Sequence, residues 1–102
     1  MGLPSFGRAI KRNRKQAGMG VQELARCLTE GDHTIAALAA ATSPVRVLQR
    51  LERRGTWPYD DDVLRDFIEQ CARCLTLRDT EREEAVRFEL GWRAIHDLIM
   101  ES

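Results

Sequence analysis

Ala85, Phe88, Trp92, Ile95 and Ile99 recur at steps of three, four, three and four residues, the period of one face of an α-helix. The same rhythm runs through the rest of the chain, interrupted by stop and start signals, and leaves no convincing strand. Ser5 can cap a first helix with Phe6, Ala9, Ile10 and Ala17 on one side, and Gly18 supplies a residue able to end it. Val21, Leu24, Ala25 and Leu28 mark a short second helix closed by Gly31, and Asp32 can cap a third with Ile35, Leu38 and Ala39 inward. Ser43-Pro44 is a strong start signal, since serine caps and proline suits the first helical position. That fourth helix carries Val47, Leu48 and Leu51 inward and stops at Gly55. After a turn at Pro58, the charges of Asp60, Asp61 and Asp62 favour the positive end of a fifth helix, whose inner face is Val63, Leu64, Phe67, Ile68, Cys71 and Leu75. Thr80 with Glu83 forms a capping box for the last helix. Gly91 interrupts it at a cost of about 1 kcal/mol relative to alanine, explicable by close approach of another helix or by a kink. The expectation is one all-α domain over residues 1–102, with about five short helices in 5–77 and a long C-terminal helix in 79–101.

A length of 102 residues supports one core without metal or disulfides. Three cysteines, an odd number, argue against a disulfide framework and fit a reducing cytoplasm. No apolar run approaches a membrane span and no secretion signal is visible, so a cytoplasmic chain without membrane contact is expected. The formal net charge of zero conceals a division. Residues 1–58 hold ten basic and four acidic side chains, and residues 59–102 hold six basic and twelve acidic ones, giving +6 and −6. Such asymmetry points to a polyanion-binding end joined to something else, the alternative being charges that pair across the fold or lie on solvated faces.

Residues 6–19, Phe-Gly-Arg-Ala-Ile-Lys-Arg-Asn-Arg-Lys-Gln-Ala-Gly-Met, with Leu24-Ala25 following, resemble the opening of the phage-repressor-like (Cro/XRE-type) helix-turn-helix family. The resemblance resumes at Leu48-Gln49-Arg50-Leu51-Glu52-Arg53, similar to the end of that family's recognition helix, and continues through Gly55 and Pro58. It implies a compact helix-turn-helix domain. About a dozen extra residues separate Leu24-Ala25 from the recognition helix and contain a second candidate, Leu38-Ala39. Either 34–42 is the positioning helix, or 21–28 is and the inserted helix lies between the usual two. Asn13 occupies a position that the family normally fills with an apolar residue.

The chemistry of residues 43–54 leads to the same expectation without the resemblance. With Val47, Leu48 and Leu51 inward, Val45, Arg46, Gln49, Arg50, Arg53 and Arg54 face outward or flank. Arginine can grip guanine O6 and N7 with two hydrogen bonds, and glutamine can do the same for adenine. Arg46, Gln49, Arg50 and Val45 are therefore the candidate base readers. Ser43 at the helix start, Arg53, Arg54, and Lys11, Arg12, Arg14 and Lys15 on the first helix are the candidate phosphate contacts. A solvated basic face is the alternative for the first-helix run. The competing segment 33–41 is mostly alanine and offers only His33 and Thr34 as readers.

The 85–99 stripe either covers the core or packs against its copy in a second chain, with Trp92 and Phe88 as anchors; dimerisation is favoured, since one module alone touches too few bases. The expected function is that of a sequence-specific transcriptional regulator, a repressor, binding a pseudo-palindromic DNA operator as a homodimer. The alternative is a protein-interaction regulator, an antitoxin or anti-activator, whose acidic half holds a protein partner. Cys71 and Cys74 form a lone C-x-x-C with no second pair, better suited to core packing than to metal or redox work. His33 and His96 are isolated, and the aspartates at 60–62 lack the glycine and glutamate of a calcium loop. No nucleophile elbow, phosphate loop or catalytic carboxylate pair stands out, so no enzyme, metal or cofactor is expected.

Overall fold

The computed structural model describes residues 2–31 and 34–101. Six α-helices are seen among them: α1 (Pro4–Gln16), α2 (Val21–Thr29), α3 (Ala36–Ala39), α4 (Pro44–Arg54), α5 (Asp61–Leu75) and α6 (Glu83–Glu101), with a 3-10 turn, Thr80–Arg82, before the last. The architecture is all-α, with a long C-terminal helix. The only extended pairing among the described residues is an isolated bridge between Gly2 and Thr56. No helix is long and apolar enough to cross a membrane. The expected cap Asp32 and the candidate reader His33 lie outside the described residues.

Several helix ends differ from expectation for identifiable physical reasons. Pro4, not Ser5, begins α1, following an N-cap at Leu3 that has no side-chain acceptor. The acceptor comes instead from α6: Asp97 receives the Ser5 N–H on Oδ1 (3.2 Å) and the Phe6 N–H on Oδ2 (2.8 Å). Ser43 caps α4 as expected, its hydroxyl accepting the Arg46 N–H at 3.2 Å. The third helix shrinks to one turn. Ser43 must be extended both to cap α4 and because it precedes proline, while the Ile35 N–H is held by the Leu28 carbonyl of α2 at 2.9 Å. The Thr80–Glu83 capping box does not form. Arg82 N–H bonds the Asp79 carbonyl at 3.1 Å, and the segment winds as a 3-10 turn before α6 begins.

α1 packs between α4 and α6, α5 packs on α6 and α2, and α2 packs on α4. A Cβ on Gly7 would overlap the Leu51 carbonyl oxygen, so α1 and α4 meet at backbone contact. Gly55 ends α4 in the left-handed region (φ +69°) and a Cβ there would meet Pro4 at 2.6 Å. The chain before α1 is thus seated directly on the end of α4, with the Leu3 N–H bonded to the Gly55 carbonyl at 2.6 Å. The core gathers Phe6, Ile10, Leu24, Leu28, Leu38, Leu48, Leu51, Phe67 and Leu90, all essentially solvent-free. Trp57 lies edge-on to Phe6, Tyr59 and Phe67, with centroids 5.1–6.4 Å apart.

One expectation is corrected here, and one open alternative is narrowed. Cys27 on α2 is disulfide-bonded to Cys74 near the end of α5, with Cα atoms 6.0 Å apart, and only Cys71 remains free. The odd count merely left one thiol over, and the partner of Cys74 lies on another helix rather than one turn away. With the bond spanning 47 residues, loop closure in the unfolded chain corresponds to about 4 kcal/mol of stabilisation. The open alternative concerns α6. Its inner face is Val86, Leu90 and Ala94, with Asp97 continuing it. The stripe Ala85, Phe88, Trp92, Ile95 and Ile99 points outward, with Phe88 76%, Trp92 57%, Ile95 52% and Ile99 68% exposed. It does not cover the core.

Candidate nucleic-acid interface

α4 turns Leu48, Leu51 and Glu52 into the protein. Glu52 is its single acidic residue, and its fate determines the electrostatics of the outer face. Arg14 of α1 grips it with two parallel hydrogen bonds, Nε to Oε2 and Nη2 to Oε1, each 2.8 Å. Arg14 Nη1 also donates to the Met19 carbonyl at 3.0 Å. The hydrogen bonds that Arg14 donates to Glu52 raise its pKa against the opposing effect of burial. The acid of α4 is thereby neutralised inside.

What remains outside is cationic. Arg46, Arg50, Arg53 and Arg54 are exposed and Gln49 is half-buried. No hydrogen bond or ion pair of their side chains occurs among the described residues. These five line one shallow groove, and Ala41, Thr42, Ser43, Arg46, Val47 and Arg50 line another beside it. The candidate readers Arg46, Gln49 and Arg50 are therefore on one surface with the candidate phosphate groups Ser43, Arg53 and Arg54. Val45 is half-buried and packs on the core, which limits it to partial contact with a groove.

The first-helix basic run does not behave as a unit. Arg14 is spent on Glu52 and is unavailable to phosphate, contrary to its expected role. Arg12 is paired with Glu89 of α6 through Nη2 and Oε2. Asn13, the polar residue at a position expected to be apolar, is buried and satisfied: its Nδ2 donates to the Ala9 carbonyl (2.8 Å) and to Glu89 Oε1 (2.7 Å). Burial opposes ionisation of Glu89, but the hydrogen bonds from Arg12 and Asn13 and the charges of Arg12 and Arg93 bring its pKa below the usual carboxylate value. Lys15 stays exposed and Lys11 half-exposed. Of the four cations read from α1, these two remain for a polyanion.

Sequence reasoning missed Glu52, Glu89 and Asp97 as internal partners of α1. The signal for Glu52 was its position one residue beyond Leu51, on the inner side of a helix otherwise outwardly basic. Glu89 and Asp97 gave no local signal, lying 76 and 91 residues from their partners Asn13 and Phe6. No group of three metal-ligating side chains converges among the described residues. Comparisons with protein-family models, curated proteins and solved structures return no match.

Proposed function

We propose that the chain is a sequence-specific DNA-binding regulator of transcription, a cytoplasmic repressor of the helix-turn-helix kind that the Cro/XRE-like motifs suggest. It binds a pseudo-palindromic operator as a homodimer. The observation that carries this reading is the outer face of α4: four exposed arginines, unpaired among the described residues, and a glutamine on one capped helix, with the helix's only acid sequestered by Arg14. A helix of this composition suits the major groove, where Arg46, Gln49 and Arg50 would meet base edges and Arg53, Arg54, the Ser43 hydroxyl and the Val45 N–H would meet phosphate. Lys11 and Lys15 would add phosphate contacts from α1. In this reading α2, packed on α4, is the positioning helix, and 30–42 is an insertion between the usual two.

Equilibrium binding to duplex DNA, followed by fluorescence anisotropy across salt concentrations, tests the proposal. Affinity falls steeply with salt. Arg50→Ala weakens binding to a preferred site by about 1–3 kcal/mol and relaxes base preference, whereas Lys15→Ala weakens all duplexes alike and lowers the salt slope by about one. Salt-insensitive binding, or an Arg50→Ala protein with unchanged preference, contradicts it. A second reading, an antitoxin or anti-activator holding a protein partner, draws on the exposed apolar stripe of α6 within the acidic half.

A further inference from the structure

We propose that Cys27–Cys74 is a redox-active disulfide, a site of thiol–disulfide exchange with small or protein dithiols, whose opening loosens the support beneath α4. The coupling to DNA rests on the reading above; the exchange chemistry does not.

The placement of the bond argues for both halves. Cys27 lies on α2 and Cys74 in the last turn of α5, and the loop they close contains α3 and α4 entire. α2 packs on both α4 and α5, so the bond fixes the wall against which α4 is seated. Solvent reaches this wall through two clefts. One is lined in part by Cys74 and the other by Cys27, and they share Met19, Glu23 and the exposed Leu77. Cys27 is half-buried, whereas Cys74 is only 3% exposed. The incoming group therefore meets Cys27 first.

Exchange then proceeds with the electrons accounted for. A thiolate of the dithiol attacks Cys27 Sγ, the S–S electron pair leaves on Cys74 Sγ, and that thiolate takes a proton. The second thiol of the reductant, deprotonated, attacks its own sulfur in the mixed disulfide and expels Cys27 as a thiolate, which is protonated in turn. Two electrons pass from the dithiol, now a cyclic disulfide, to the protein, and two thiol protons reside on Cys27 and Cys74. The reverse reaction with a disulfide oxidant closes the bond. Cys71, one turn from Cys74, does not compete: it is fully buried, and burial with the nearby charge of Glu52 pushes its pKa up, so it stays a neutral thiol.

The test treats the intact native protein with millimolar dithiothreitol, traps thiols with iodoacetamide and counts adducts by intact mass. Two adducts per chain, on Cys27 and Cys74, with Cys71 labelled only in denaturant, are expected, and oxidised dithiothreitol restores the bond. Hydrogen exchange of the amides of residues 44–54 is faster in the reduced protein. Affinity for a duplex selected by the oxidised protein falls about tenfold on reduction, equivalent to about 1.4 kcal/mol, and recovers on reoxidation. A bond that opens only in denaturant overturns the exchange site. Labelling with unchanged exchange in α4 overturns the coupling. An oxidised protein that selects no duplex defeats the DNA reading alone, since labelling and amide exchange still decide this proposal.

Discussion

Arg14 and Glu52 form a pair whose side chains are 14% and 5% exposed, so each is the other's replacement for water. Removing one partner strands a buried charge, and Glu52→Ala should cost about 3–5 kcal/mol in urea denaturation. Replacing both with leucine should recover most of that loss, because the desolvation of two charges is then avoided. Glu89 gives a pH signature. Its carboxyl is held below its ordinary value of 4.5, so its ties to Arg12 and Asn13 contribute fully above that value and are lost as pH falls through the depressed one. The urea midpoint therefore declines with acid in the native protein, and more shallowly in Glu89→Gln. At this scale the sequence was half legible. The outward arginines of α4 followed from the positions of Leu48 and Leu51. The diversion of Arg14 and Arg12 into pairing did not, because a charged residue's partner is set by the tertiary fold and not by its neighbours.

At the scale of elements, helix existence was legible and helix ends were less so. The apolar spacing located the six helices, and Ser43, Pro44 and Gly55 fixed the start and stop of α4 through purely local chemistry. α1 drew its cap from Asp97, 91 residues away from Phe6, which no local signal announces. The stripe 85–99 showed that α6 is amphipathic but did not reveal its inward face: the smaller set Val86, Leu90 and Ala94 packs on the core, and the bulkier residues face out. α6 is accordingly part of the core and not a detachable tail. A chain ending at Leu77 should lose the cooperative thermal transition by circular dichroism, whereas Asp97→Ala should keep it with about 1–2 kcal/mol less stability, the usual range for losing a cap. The outer stripe is the surface on which the proposed homodimer would form. Among the described residues a Cβ on Gly91 would meet nothing within 4 Å, leaving backbone open to a second helix beside Phe88 and Trp92. Trp92→Lys should weaken self-association at least about thirtyfold by equilibrium sedimentation, the loss of a central aromatic anchor. A native protein monomeric at micromolar concentration would favour the protein-partner reading instead.

Across the whole molecule, the +6 and −6 halves do not remain separate blocks. Arg12–Glu89 joins them directly, and Arg73 and Arg87 each approach Glu83 within the acidic half. Internal pairing takes up Arg12 and Arg14 of α1, Glu89 of α6 and the single acid of α4, and leaves the four arginines of α4 exposed. This distribution supports the proposed role of α4, since a basic helix face on a neutral molecule biases its approach to a polyanion. The disulfide belongs to the same scale. It ties α2 to the end of α5, and a count of cysteines could not reveal it because pairing depends on which helices meet. The most direct measurement is selection from a pool of randomised duplexes by the oxidised protein, run in parallel with the Arg46→Ala/Arg50→Ala double variant. The account predicts that the native protein enriches an inverted repeat and that the variant, folded by circular dichroism, enriches none. No enriched sequence for the native protein, or the same repeat for both, would contradict it.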